Sequence, residues 1–342
     1  MRIGLAGTGR IGAFHAKTLT TIPGVDDLVL ADLDTALAQR VATDLNVSAA
    51  PSIEALLDSR LDAFVITAGT AAHGDLLEAA IARGIPTFCE KPVALDLERT
   101  IALTELEATS AVPVHIGFQR RFDTGYRRVR DAVASGELGF IHTIRAATMD
   151  QAPPPAAYLP TSGGLLRDCS VHDFDIIRFV TGHEVSRVFA AGANKGEHFF
   201  TEQGDVDSAA ATLVMDDGTL VVVTATRYNG GGHDVRMEVH GSQGTLGVGH
   251  DTALAITSAE PGTEWPPGPR HWSFMERFLP AYVTELTAFV DVARGTIASP
   301  CTVADALEAF RTAEACARSM VSGMPVDLVT VPTVHAQLSV RD

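Results

Sequence analysis

The chain has 342 residues, 46% of them hydrophobic, with 42 acidic against 26 basic side chains and a formal net charge of −16. That length is comfortable for two domains, and a surface this acidic repels phosphate backbones and anionic lipid, which argues against nucleic-acid and membrane partners. No stretch reaches the ~18 apolar residues of a membrane span, no leader precedes the first strand, and the four scattered cysteines (Cys89, Cys169, Cys301, Cys316) fit packing residues in a reducing cytoplasm.

The first predicted element is a short apolar strand, Ile3 to Ala6, followed by Gly7-Thr8-Gly9-Arg10-Ile11-Gly12 and a helical pattern over 13–20. A GxGxxG between strand and helix is the context in which glycines bind a dinucleotide. Gly7 permits the tight turn, Gly9 lets the backbone approach a pyrophosphate, and Gly12 lets the helix pack closely on the sheet. The anion then sits on free N–H groups at the helix N-terminus. A second strand, 27–32, ends on Asp32, at the spacing where a carboxylate accepts hydrogen bonds from the adenosine ribose. It would repel a 2′-phosphate, which points to NAD over NADP. The alternative role for Asp32 is to cap the helix that starts near Asp34.

Strand and helix keep alternating: strand 61–67, helix 74–83, strand 86–90, helix 96–109 and strand 112–117. Repeated βα units predict a doubly wound parallel sheet, a Rossmann domain over 1–119. From about Arg120 the period changes. A helix over 124–135 leads to strands 140–148, 185–193, 206–215, 220–227, 235–240 and 245–249, with Asp216-Asp217-Gly218-Thr219 as a hairpin turn. Short turns between strands predict an α+β domain, 120–342, built on a large, open, mostly antiparallel sheet. Helices over 273–294 and 302–322 are expected to pack back toward the first domain, the former bent at Pro280. The loop 151–164, with four prolines, reads either as a stiff surface connection or as a wall of the substrate site.

At Glu90-Lys91-Pro92 the chain resembles the glucose–fructose oxidoreductase/inositol dehydrogenase/MocA family. The likeness continues through Gly117-Phe118-Gln119-Arg120-Arg121-Phe122-Asp123, through the stretch from Gly163 to Asp175, and through Gly204-Asp205-Val206-Asp207 and Phe274-Met275-Glu276-Arg277-Phe278. Within the family it is most similar to the inositol 2-dehydrogenases, sharing paired Arg120-Arg121, Ala152-Pro153-Pro154-Pro155 and His172-Asp173-Phe174-Asp175. It departs from that subgroup at Met149-Asp150-Gln151 and at His233, where a tyrosine is usual.

The resemblance implies that Gly7, Gly9, Arg10, Ile11, Gly12, Asp32, Thr67, Ala68, His73, Glu90 and Lys91 bind NAD. It implies a catalytic set of Lys91, Asp168 and His172, and substrate contacts from Arg120, Asp150, Asp168, His172, Asp175, His233 and Tyr282. It also implies a homo-oligomer, a dimer or a homotetramer, formed through the free face of the second sheet, where apolar residues alternate near Val221 and Val223. For His15 and His73 a structural role is the alternative. No metal site is expected, because the remaining histidines show no ligand spacing.

The chemistry of these residue types is consistent with alcohol oxidation. Hydride loss from a carbinol needs a base for the hydroxyl proton and a group that stabilises the developing alkoxide. Asp168 and His172, spaced i, i+4, share one face of a helix, and imidazole is the natural base near neutral pH. Asp168 either orients His172 or shares a proton with Lys91. Lys91, at the carboxyl end of a parallel strand, can donate to the alkoxide. The unremarkable alternative is that Asp168 is an N-cap and His172 a satisfied helix histidine. Three functions are therefore open: oxidation of a ring secondary alcohol of a cyclitol by an inositol 2-dehydrogenase, the same chemistry on a sugar or anhydrosugar, and a non-catalytic NAD-binding regulator.

Overall fold

The computed structural model describes residues 1–328. The chain divides into two compact units, one formed by 1–123 with 278–307 and the other by 124–277 with the residues from Glu308 onward. The second domain expected over 120–342 therefore yields 278–307 to the first unit, and its residues 329–342 lie outside the described residues.

The first unit is built on a six-stranded sheet. Its strands are β1 (Arg2–Ala6), β2 (Asp27–Ala31), β3 (Ser48–Ala49), β4 (Ala63–Ile66), β5 (Thr87–Glu90) and β6 (Val114–Gly117), in the order β3-β2-β1-β4-β5-β6. Every pairing is parallel. The connecting helices are α1 (Arg10–Leu19), α2 (Thr35–Leu45), α3 (Ile53–Leu57), α4 (His73–Ala82) and α5 (Leu97–Thr109). Local chemistry sets their ends: Asp34, Ser52 and Asp96 accept the N–H groups of Leu37, Ala55 and Arg99, which would otherwise be left without partners. Asp34, not Asp32, is thus the cap of α2. The strand order reverses between β1 and β4, and the loop after β1 carries the glycines, which is where doubly wound sheets bind ligands.

The second unit contains α6 (Thr124–Ala134), β7 (Ile141–Met149), α7 (Leu159–Ser162), α8 (Val171–Thr181), β8 (Val185–Ala193), α9 (Phe199–Glu202), β9 (Ser208–Met215), β10 (Leu220–Thr226), β11 (Asp234–Gly241) and β12 (Thr245–Val248). With β13 (Val326–Asp327) these strands form a seven-stranded sheet ordered β12-β11-β7-β10-β9-β8-β13. All neighbours are antiparallel except β7 and β10, which run parallel with Met149 beside Thr226. Short turns between consecutive strands had suggested antiparallel neighbours, but β10 pairs with a strand far earlier in the chain. Along β10, Val221, Val223 and Ala225 are buried, while Leu220 and Val222 are exposed. The free face near these strands is therefore marked by Leu220 and Val222, not by the valines expected there.

Two long helices follow, α10 (Phe274–Ala293) and α11 (Val303–Ser322), each divided between the units. The α10 helix runs through Pro280 as one element. Leu286, Phe289 and Val290 of α10 join Ile3, Leu5, Leu28, Leu30, Val65 and Phe88 of the parallel sheet in one core. Burying each such side chain contributes about 1.5–3 kcal/mol, so this helix is an integral layer of the first unit.

Candidate active site

The glycine loop of the first unit is closed by contacts that only glycine permits. Gly7 has φ +96°, and a Cβ there would lie 2.3 Å from the Ala68 nitrogen. At Gly12 a Cβ would come within 1.8 Å of the Gly7 carbonyl oxygen, whereas one at Gly9 would meet nothing within 4 Å. The loop is thus tight on its sheet side and open at Gly9, the N-cap of α1, where no side chain satisfies the first-turn N–H groups. Arg10 and Ile11 are the first helical residues, and Arg10 is exposed. Thr67 braces the loop by donating its hydroxyl to the Gly7 carbonyl at 2.7 Å. Asp32 accepts the Thr8 N–H and hydroxyl through one oxygen and the Asp34 N–H through the other. A carboxylate has about four lone-pair directions, so hydroxyls of a ribose can still be bound. These residues fit a dinucleotide.

The next segment is held from below. One oxygen of Glu90 lies 2.6 Å from the Nε2 of fully buried His15, and the other accepts the Lys91 backbone N–H at 3.2 Å. The Lys91–Pro92 peptide is cis. His73 is buried, and its two ring nitrogens lie 2.8 and 2.9 Å from the carbonyl oxygens of Pro92 and Ala68. Its polar atoms are thus committed to main chain: it ties the segment carrying Lys91 to the loop after β4, the structural alternative for this residue. Arg120 is buried, with its guanidinium 5.8 Å from the centre of the Phe278 ring. The Tyr282 ring packs edge-on against Phe14 and His15, and burial together with the Glu90 and Glu285 carboxylates pushes its phenol well above the usual range.

In the second unit, Asp168 does not sit in a regular α-helix. Leu166–Ser170 forms a wide π-turn leading into α8, a feature common at functional sites. One Asp168 oxygen accepts the Tyr158 hydroxyl at 3.0 Å and the other accepts Arg227 Nη2 at 2.8 Å. The Nη1 of Arg227 donates to Asp150 at 3.0 Å and lies 2.9 Å from Cys169 Sγ. His233 Nδ1 is 3.6 Å from the second Asp150 oxygen. Burial opposes the charge on Arg227, but its acidic neighbours raise its pKa further above the usual range. Burial and the Asp168 charge likewise push the Tyr158 phenol upward. His172, half-buried, is the second residue of α8, and Asp175 is fully buried within the same helix.

The structure thus gathers Asp150, Asp168 and His233 around Arg227, and Glu90, Lys91 and His73 around the end of β5. Arg227 and Tyr158 are not among the residues expected from the sequence, and Cys169, expected only as a packing residue, lies against Arg227. A signal for Arg227 was available: it continues the inward parity of Val221, Val223 and Ala225, where a cation demands carboxylates. On an exposed turn, His183 lies beside Asp216 and Asp217, with its Nδ1 bonded to Asp216 at 2.7 Å. All four cysteines are free and buried.

Residues 1–118 match the oxidoreductase family with an NAD-binding Rossmann fold, and residues 126–247 match the GFO/IDH/MocA C-terminal domain. The chain is 39% identical over 326 residues to the myo-inositol dehydrogenase Hyg17 of Streptomyces leeuwenhoekii, covering 94% of this chain and 98% of that protein. It is 34% identical over 333 residues to the scyllo-inositol 2-dehydrogenase (NAD(+)) of Bacillus subtilis, covering 96% of each. Among solved structures, scyllo-inositol dehydrogenase from Lactobacillus casei with bound NAD(H) and scyllo-inositol superposes with a TM-score of 0.86. Its identity is 28%, over 96% of this chain and 98% of that one.

Proposed function

The chain belongs to the GFO/IDH/MocA family of NAD-binding oxidoreductases, and from that premise we propose that it is an inositol 2-dehydrogenase, oxidising a ring secondary alcohol of myo- or scyllo-inositol to a ketone. The observation that carries this reading is similarity over almost the whole chain, through both units, to dehydrogenases of these two inositol isomers.

When bound, NAD supplies the ring that accepts hydride. The protein supplies the proton chemistry and the orientation. In this assignment His172 takes the proton from the reacting hydroxyl, and the Lys91 ammonium donates a hydrogen bond to the oxygen as negative charge builds on it. Asp168 either orients His172 and favours its protonated form or shares a proton with Lys91. Asp150, Asp175, His233, Arg120 and Tyr282 are assigned to substrate recognition. The assay is NADH absorbance with myo-inositol, scyllo-inositol and glucose. Turnover of an inositol isomer supports the reading. Turnover of glucose alone would assign a sugar dehydrogenase, and NAD binding with no turnover at all would assign a regulator.

The same reading includes a cytoplasmic homotetramer. Four free, buried thiols suit a reducing compartment, and no helix among the described residues is long and apolar enough to cross a membrane. Phe189, Leu220 and Val222 leave apolar side chains exposed on the second sheet, as self-association would require. Light scattering on the purified chain tests the assembly; a monomer at micromolar concentration would remove it.

A further inference from the structure

Arg227 follows β10 directly and is 3% exposed. Its backbone N–H donates to the Asp207 carbonyl at 2.8 Å, which fixes where the side chain starts. The parallel pairing of β7 with β10 then brings Asp150 alongside, its N–H bonded to the Thr226 carbonyl. From that position the guanidinium reaches two carboxylates at once, Asp168 through Nη2 and Asp150 through Nη1. Only a fork of separate donors can divide itself this way. Tyr158 supplies a hydrogen bond to the remaining Asp168 oxygen from an independent segment, the proline-rich loop. Cys169 lies 2.9 Å from Nη1, and His233 lies beside Asp150.

A buried ion cluster is a poor way to add stability, because apolar side chains of similar volume do as well. What it does provide is a carboxylate fixed in orientation and in charge. We propose that Arg227 is a positioning residue for the oxidation: with Tyr158 it holds Asp168 ionised and immobile, so that Asp168 acts as a standing counter-charge and not as a proton carrier. The inference rests on the dehydrogenase reading and deepens it. It selects between the two roles open to Asp168: both oxygens already accept hydrogen bonds from Arg227 and Tyr158, and the neighbouring cation disfavours protonation of the carboxylate.

The test uses the full chain with NAD and whichever inositol isomer the wild type oxidises. If the wild type oxidises none, the parent reading fails before any variant is measured. Given an active wild type, Arg227→Gln removes the buried positive charge that offsets Asp168, so the acid limb of the kcat profile moves up by roughly 1 pH unit or more. Its kcat falls by about 10-fold or more, while the NADH dissociation constant is unchanged. Arg227→Lys keeps the charge and the position of the limb but recovers only part of kcat, because one ammonium cannot reproduce the fork. Tyr158→Phe, at a half-exposed site, leaves Tm unchanged and moves the limb in the same direction by less. A merely structural Arg227 would lower Tm without moving the limb, and that result overturns the proposal. If Arg227→Gln does not fold, an unmoved limb in Tyr158→Phe overturns it instead.

Discussion

Asp32 Oδ2 accepts both the backbone N–H of Thr8, at 2.5 Å, and its hydroxyl, at 3.0 Å, so the residue directly after β2 also holds the glycine loop. Asp32 therefore has two tasks, shaping the loop and binding ribose, and a substitution should separate them. Asp32→Ser with Leu33→Arg places a cation at a position that is 90% exposed and tolerant of change. The expected outcome is a KM for NAD raised by about 10- to 100-fold, the worth of a hydrogen bond to a charged group, with measurable turnover of NADP. Steady-state kinetics with both cofactors check this, and an unchanged NAD preference would remove Asp32 from cofactor selection.

Two glycines of the loop are predicted to fail differently. Gly12→Ala sets a methyl against the Gly7 carbonyl, so the loop must open, and both Tm and NADH binding should drop. Gly9→Ala adds a methyl where no protein atom lies within 4 Å. Its Tm should hold while NADH binding weakens by at least about 10-fold, because the methyl occupies the approach of the pyrophosphate. Calorimetry with and without NADH distinguishes the cases; a Gly9→Ala protein that binds normally would place the pyrophosphate elsewhere.

Lys91→Ala keeps the backbone N–H that donates to Glu90 at 3.2 Å, so the turn is expected to persist. Turnover is expected to fall by at least ~100-fold with NADH binding and Tm retained. Single-turnover kinetics on the variant check the assignment, and near-normal hydride transfer would exclude Lys91 from the chemistry.

Two groups of the first unit, half-buried Glu107 and buried His115, should give stability a readable pH dependence. Burial, reinforced by the Asp305 charge, raises Glu107 from 4.5 to about 7, although its carboxylate accepts the Val303 N–H at 2.9 Å. A raised folded-state pKa means stability present below about pH 4.5 and lost as pH rises through 7. Glu107→Gln should therefore melt higher than wild type near pH ~8 and no higher near pH ~4.

Burial, with Arg121 nearby, depresses His115 from 6.5 to about 3. That contribution is present above 6.5 and is lost as pH falls below it. Neither His115 ring nitrogen has a hydrogen-bond partner among the described residues, and the ring stacks on Phe122 at 5.4 Å. His115→Phe should stabilise the chain by about 1 kcal/mol at neutral pH and flatten the acid side of the stability curve. Denaturant melts across the pH range check both variants, and an unaltered acid slope in His115→Phe would refute the second.

The first unit was legible because its signals are local. Alternation of strand and helix, capping residues, and three glycines at fixed offsets specify a parallel sheet and its phosphate loop without knowledge of distant contacts. Asp32 was found in the same way, by its place at a strand end, whereas Glu90-Lys91-Pro92 stood out through the family resemblance it carries. His73 was harder. The resemblance assigned it to the cofactor with a structural role as the alternative, and its ring nitrogens lie against two carbonyl oxygens of separate loops.

The amino-acid order alone determined which loop can cradle a dinucleotide, because that depends on neighbours within a few positions; the residues proposed for proton chemistry came from the family resemblance. Tertiary structure decided who pairs with whom in the second sheet. The β7–β10 pairing joins strands separated by some seventy residues, and no local pattern distinguishes a parallel from an antiparallel partner there. That pairing sets Arg227 beside Asp150, and the turn before α8 sets Asp168 against the same guanidinium. Charge placement in a buried site depends on three segments meeting in space, and periodicity reports only which face of its own strand a side chain takes.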